Sequence, residues 1–410
     1  MRRVALLSAL VFALGSCDAD DGGVDYTPHY DQGCRVAVIN TDYVSTSVSV
    51  LDEDGTVCLA GVITSGSKPP GVTTALSGDV VLPTEPAPGG ELVLIDRYPA
   101  AVLTFVDPAS GVVRRQIGVG TGYPSNPHDV LFIDADTAWV TRYDQNPTPS
   151  ATAGDLDEGG DLLVVNPVTG ALVDRIDLAP WASSGMEPRP DRLAHVGDAV
   201  WVTLGNLARR FDDGGSGLVV GLEPETGAFV GRAELSGLAS CGGTLAVSPA
   251  GDGAWVSCTG VFQRGDAPQL SASGVAWLGT DEIGAPVEGF RMAAADIGPG
   301  RPVGHPLAAL DGQRALVVVL GTLDGAPDLL YLVDRGTGAA TPIGLETQAY
   351  SLNALLLAPG GRLLAADANR RRPRLRRVDL GEDGAVTGEA ANVVTDPVVG
   401  LEPRALGWYR

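Results

Sequence analysis

A short element recurs seven times along this chain, and the recurrence restricts the fold more than any other feature. Each copy is an apolar run, an acidic or polar turn ending in glycine, and a second apolar run. It reads Ser49-Val50-Leu51-Asp52-Glu53-Asp54-Gly55, Thr104-Phe105-Val106-Asp107-Pro108-Ala109-Ser110-Gly111 and Val164-Val165-Asn166-Pro167-Val168-Thr169-Gly170, among others. The turn glycines fall at 55, 111, 170, 227, 284, 338 and 384, so the period runs from 46 to 59 residues. Asp or Asn binds the local backbone, Pro fixes φ, and Gly takes the positive-φ position, which makes each copy a hairpin. A second hairpin lies between copies, as in His128-Asp129-Val130-Leu131-Phe132-Ile133 followed by Ala138-Trp139-Val140-Thr141. Two hairpins per period make a four-stranded antiparallel sheet, and seven sheets around an axis make an all-β, seven-bladed β-propeller. No useful 3.6-residue periodicity follows residue 30, which excludes helical bundles and α/β barrels. The 55 glycines and 29 prolines suit a chain of many turns.

Register predicts the closure. Residues 403–409 read as a first strand with no successor, and 35–39 as a second strand with no predecessor. The two ends therefore share one blade, whose outer strands come from residues 46–64. The other six blades are expected near 72–120, 127–178, 190–235, 243–291, 305–344 and 351–392. With strands A to D counted from the axis, the A–B and C–D turns share one face. The long connections 83–101, 142–161, 179–189, 205–217, 259–273 and 293–304 are expected on the other, where function should lie.

The segment Leu245 to Ser257 with its Ser-Pro-Ala-Gly-Asp-Gly turn, and the recurring Val-Asp-Pro-x-Ser/Thr-Gly turn, resemble YVTN-type and lactonase-like β-propeller repeats. The resemblance covers the chain from about residue 35. It implies a fold, while the superfamily holds enzymes and binding modules alike.

The N-terminus has Arg2 and Arg3, an apolar run from Val4 to Leu14, and Leu14-Gly15-Ser16-Cys17, which resembles a bacterial lipobox. The run is too short to span a bilayer and fits a secretory signal. Residues 1–16 are thus expected to be a signal peptide, Cys17 a lipidated residue, 17–33 an acidic tether and 34–410 one propeller domain. The expected address is extracytoplasmic, on a bacterial membrane, in the periplasm or at the cell surface. The remaining Cys34, Cys58, Cys241 and Cys258 are even in number and allow three pairings; proximity favours Cys34–Cys58 and Cys241–Cys258. A net charge of −22 argues against nucleic acid, and membrane contact is expected through the lipid alone. A monomer is expected.

Candidate chemistry is sparse. Arg142, Tyr143 and Asp144 leave a B strand into a long polar loop and suit ligand recognition. His128 and His305 both open A strands and should face the axial mouth, where imidazoles can bind metal. Asp155, Asp157 and Asp161 partly resemble a calcium loop, with Gly159 standing where a third ligand belongs; apart from that calcium, no cofactor is expected. His195 reads as a core residue, and Arg370, Arg371 and Arg372 as a basic island. No nucleophile elbow, Walker loop or dinucleotide fingerprint is present. The leading expectation is a non-catalytic module presenting its long-loop face to a protein or glycan. The alternative is a propeller enzyme of lactonase or lyase type with a polar or metal site at the channel mouth. Convergence of carboxylates and histidines at that mouth would favour the enzyme.

Overall fold

The computed structural model describes residues 28–152 and 154–410. The expected signal peptide, Cys17 and the tether up to residue 27 lie outside the described residues. Seven four-stranded antiparallel sheets form a ring, the seven-bladed β-propeller that the repeat predicts. Blades one to six have inner strands at Val80–Val81, Pro127–Phe132, Pro190–Val196, Leu245–Val247, Val303–Ala309 and Leu352–Ala358.

Blade seven is made from both ends of the chain. Its inner strand is Pro403–Trp408, followed outward by Cys34–Thr41, Thr46–Asp52 and Val57–Thr64. Val38 pairs with Leu406 on one side and Ser49 on the other. The closure continues past the ladder, where the Tyr409 amide donates to the Arg35 carbonyl and the Arg410 guanidinium to that of Asp31. The Cys34–Cys58 disulfide ties the second strand of this blade to its fourth.

The core lies between blades rather than inside one. The repeated Trp-Val-Thr/Ser of the second strands explains why. Trp201 and Trp255 are fully buried, and their indole N–H groups donate to Gly284 and Asp311 carbonyls of the following blades, at 2.9 and 3.1 Å. Two residues later on the same side, Thr203 and Ser257 reach the Gly242 and His305 carbonyls of the following blades. One side of the strand thus carries both an apolar anchor between blades and, nearer the rim of the channel, a hydrogen-bonding hydroxyl.

One expected loop is different. Residues 83–101 contain a strand, Leu92–Asp96, which is the second strand of blade one. Its predecessor Val80–Val81 is only two residues long, because the chain leaves the sheet at Leu82. The stretch from Leu82 to Glu85 then crosses the lower channel. Leu82 and Pro83 pack on Gly407 of blade seven, and Glu85 reaches His195 of blade three. The sequence Leu82-Pro83-Thr84-Glu85-Pro86 hides this, since its prolines read as loop.

Candidate functional site

The site is built by irregularity at the start of the inner strands. Asn126 and Arg189 have φ of +53° and +51°, each immediately before a proline that opens a strand. Positive φ in these non-glycine residues, and a register shift just after them, mark local strain and a bulge. The bulges free His128-Asp129 and Asp191-Arg192 from ladder pairing and turn side chains to the axis. Second-strand hydroxyls take up the released backbone groups. Thr141 Oγ1 accepts from the Asp129 amide at 2.8 Å and donates to the Asp191 carbonyl of the next blade at 3.2 Å. Thr203 Oγ1 likewise accepts from the Arg192 amide at 3.0 Å and donates to the Gly242 carbonyl at 2.7 Å. Ser257 Oγ donates to the His305 carbonyl at 2.8 Å. One repeated contact therefore fixes Asp191, Gly242 and His305 in successive blades.

These residues meet at the long-loop mouth of an axial cavity of about 890 Å³. His128 Nδ1 lies 2.9 Å from Asp191 Oδ1, with both side chains almost buried. The His128 ring stacks on Tyr143 at 4.2 Å between centroids and 9° between planes. Gly242 and Gly243 make the opposing wall. A Cβ on Gly242 would stand 2.9 Å from Asp191 Oδ2, and one on Gly243 would collide with His305 Nδ1 at 1.7 Å. Cys241, bonded to Cys258, anchors this glycine pair to the adjoining strand. Arg97 and Arg192 complete the rim; Arg192 Nε is 3.5 Å from Asp191 Oδ1.

The electrostatics give the groups distinct charge states. Burial pushes the His128 pKa down, and Arg97 and Arg192 add to this against the pull of Asp191. Burial alone would raise Asp191, but His128, Arg192 and His305 outweigh it and hold the carboxyl well below the usual carboxylate range. Asp191 is therefore an anion and His128 a neutral imidazole near pH 7, its Nδ1–H donated to Asp191 and its Nε2 left as the basic nitrogen. His305 is also lowered, by surrounding protein first and then by Arg192, His128 and Arg97, against Asp191. Its ring is exposed at the mouth. Just below, Asp129 accepts from Thr84 and from the Leu193 amide, tying blades one, two and three together. Burial pushes its pKa up to about 6 in spite of Arg192 and those donors.

The expected recognition triplet is divided. Arg142 is fully buried, with Nε and Nη2 on the two oxygens of Asp161 at 2.7 and 2.6 Å. Its Nη1 donates to Thr121 Oγ1 and the Leu156 carbonyl, so no donor faces a ligand. Tyr143 lines the mouth, while Asp144 pairs with the buried Arg189 at 2.6 Å. Asp161 is committed to Arg142, and Asp157 accepts from Asn146 and the Ser150 amide. Asp155, Asp157 and Asp161 do not converge. Among the described residues the one grouping of three potential metal ligands is His29 with Cys34 and Cys58, whose sulfurs are bonded to each other. His128 and His305 do face the mouth, as their positions predict. His195 is not a core residue: it lines the lower channel, with Nδ1 2.9 Å from Glu85. Arg370, Arg371 and Arg372 are exposed on the long-loop face.

Asp191, Arg192 and Arg97 escape motif reading because no short spacing links them to the histidines. A signal was nevertheless present. Pro127-His128-Asp129-Val130-Leu131 and Pro190-Asp191-Arg192-Leu193-Ala194 are the same position in consecutive repeats. Superposing them puts Asp191 where His128 stands.

No protein-family pattern matches the sequence, and no curated protein is similar to it. Solved structures are similar in fold. A candidate 6-phosphogluconolactonase from Bacteroides fragilis is 13% identical over 93% of this chain and 99% of its own, with a TM-score of 0.59. The periplasmic gluconolactonase PpgL of Pseudomonas aeruginosa is 17% identical over 92% and 98%, with a TM-score of 0.58. A hypothetical selenium-binding protein from Sulfolobus tokodaii is 9% identical over 94% of both chains, at 0.60. The chain is thus a seven-bladed β-propeller whose structural neighbours include lactonase-like propellers.

Proposed function

We propose that this protein is a hydrolase of lactones or related esters, acting at the channel mouth with His128 as general base. The carrying observation is the 2.9 Å His128–Asp191 contact beside Arg97, Arg192 and His305 at an open cavity. This is the convergence of carboxylate and histidine that favours an enzyme over a scaffold. Asp191 holds the imidazole in the tautomer with a free Nε2 and stabilises the imidazolium that forms. Nε2 takes a proton from a water as the water oxygen bonds to the lactone carbonyl carbon. The tetrahedral alkoxide forms next to guanidinium groups, whose charge stabilises it. As the ring C–O bond breaks, the leaving oxygen recovers the proton from Nε2, giving the hydroxy acid. The lactonases among the structural neighbours support this reaction class.

The test is hydrolysis of six-carbon aldonolactones by the purified protein, followed by acid release. Turnover is expected, with His128→Asn lowering kcat/KM by about 10²- to 10⁴-fold at unchanged melting temperature. An inactive wild type, or a fully active His128→Asn, would overturn the proposal.

A glycan-binding reading draws on one further feature. A second cleft beside the mouth, about 580 Å³, is lined by Tyr98, Tyr123 and Phe211 with Arg209 and Asp157. Exposed aromatic faces at such a cleft suit sugar rings. For location, the lipobox-like Cys17 and the two disulfides support export and lipid anchoring, since such bonds persist in oxidising compartments. Detergent partitioning of Cys17→Ser tests this: release into the aqueous phase is expected, and unchanged partitioning would refute it.

A further inference from the structure

The channel below the mouth is not lined evenly. Blades one to three present Glu85, Asp191, Arg192 and His195, whereas blades four to seven present Val247, Leu307, Leu355, Leu357, Leu406 and Trp408. Of the latter only Leu307 is fully buried; the others are split between inter-blade packing and the open shaft. The inner strand Leu352–Ala358 carries three leucines in sequence, Leu355, Leu356 and Leu357, all reaching the cavity. An apolar wall facing an open shaft loses the stabilisation that burial would bring. At its top the wall meets polar side chains: the Arg404 guanidinium stands on the mouth side of the strand that carries Leu406, and the Asn353 amide on that of Leu355 and Leu357. Along its lower part, the crossing segment from Leu82 to Glu85 reaches from Gly407 to His195. From Asn353 to Leu357 the shaft runs about 13 Å, at ~3.3 Å per residue of strand.

We propose that the substrate is an amphiphile: an ester or lactone with a linear alkyl chain, its polar head at His128 and the arginines, its chain along the leucine wall. The inference rests on the hydrolase reading for the head group and on the shaft alone for the chain. It explains why apolar side chains continue the cavity directly below a charged rim. A purely polar substrate uses the rim and leaves the wall without a partner. The chain is of medium length, because the leucine wall extends only from Asn353 to Leu357, about 13 Å.

The experiment is calorimetric titration of the full chain with linear carboxylates from butanoate to dodecanoate, run beside hydrolysis of lactones with matching alkyl substituents. Affinity is expected to rise up to about fourfold per added methylene while the chain is being buried, then level off in the longest members. Leu357→Asn and Leu406→Asn, on different strands, should each flatten the series. Affinity independent of chain length, or an undiminished slope in both variants at wild-type melting temperature, would overturn the proposal. A slope without any lactone hydrolysis refutes the hydrolase reading alone. Hydrolysis of unsubstituted lactones without a slope refutes the amphiphile alone.

Discussion

Replacing Asp161 by Asn should be among the most damaging single changes to stability, although Asp161 stands in a loop-like acidic stretch of the sequence. Asp161 is fully buried and receives two guanidinium hydrogen bonds from Arg142, itself fully buried. Asparagine keeps one acceptor and places an NH₂ against the other guanidinium donor. Arg142 then remains a desolvated cation with Thr121 and the Leu156 carbonyl as its partners. Breaking a buried pair in this way costs about 3–5 kcal/mol. With a urea dependence at the upper end, about 3 kcal/mol/M, the unfolding midpoint falls by roughly 1 M or more. The double variant Arg142→Met/Asp161→Leu removes both charges together and should recover most of that loss. Urea titrations by tryptophan fluorescence provide the assay. A midpoint for Asp161→Asn within about 0.3 M of wild type, about 0.9 kcal/mol on the same slope, would refute the assignment of Arg142 to structure.

Three further outcomes follow from the geometry. Gly243→Ala should lower kcat/KM for lactone hydrolysis more than about tenfold at unchanged melting temperature, because the added methyl displaces His305; full activity would place His305 outside the reaction. A chain ending at Val399 loses Pro403–Trp408, the inner strand of blade seven, and should be insoluble or melt far lower, whereas trimming residues 18–30 does little; cooperative melting at the wild-type temperature would contradict the closure. His195 has its pKa raised, by its hydrogen bond to Glu85 against desolvation, so this pair stabilises the fold fully below the unfolded value near ~6.5. That contribution fades as pH rises through the higher folded value, and Glu85→Gln should remove the dependence in a series of thermal melts from about pH 6 to 9; an unchanged pH slope would show that the pair does not titrate.

The fold was legible because it is written locally and repeatedly. Turn glycines such as Gly111 and Gly170 sit at positive φ, and alternation along Val200-Trp201-Val202-Thr203 sends Val200 and Val202 to one inter-blade core and Trp201 with Thr203 to the other side. Closure was legible because strands with missing neighbours can be counted. The site was legible only in part. His128 and His305 stand out as rare residues opening strands, but Asp191 is an ordinary Asp-Arg pair until the ring brings blades two and three together. Arg142 shows the converse, since a polar loop boundary looks like a recognition site when its partner Asp161 lies 19 residues away. The crossing of Leu82 to Glu85 was hidden because its contacts, Gly407 and His195, are set by ring geometry and not by local pattern.

The central claim is that His128, held neutral and oriented by Asp191, is the base at the channel mouth. The pH dependence of kcat/KM for lactone hydrolysis tests it most directly. Burial lowers the His128 pKa, so activity should rise along a single limb whose midpoint lies below the ordinary histidine value of about 6.5. Asp191→Asn should lose most of the rate at every pH, while His305→Asn keeps the limb in place. A limb centred above about 7, or one that moves with His305 and not with Asp191, would contradict the account.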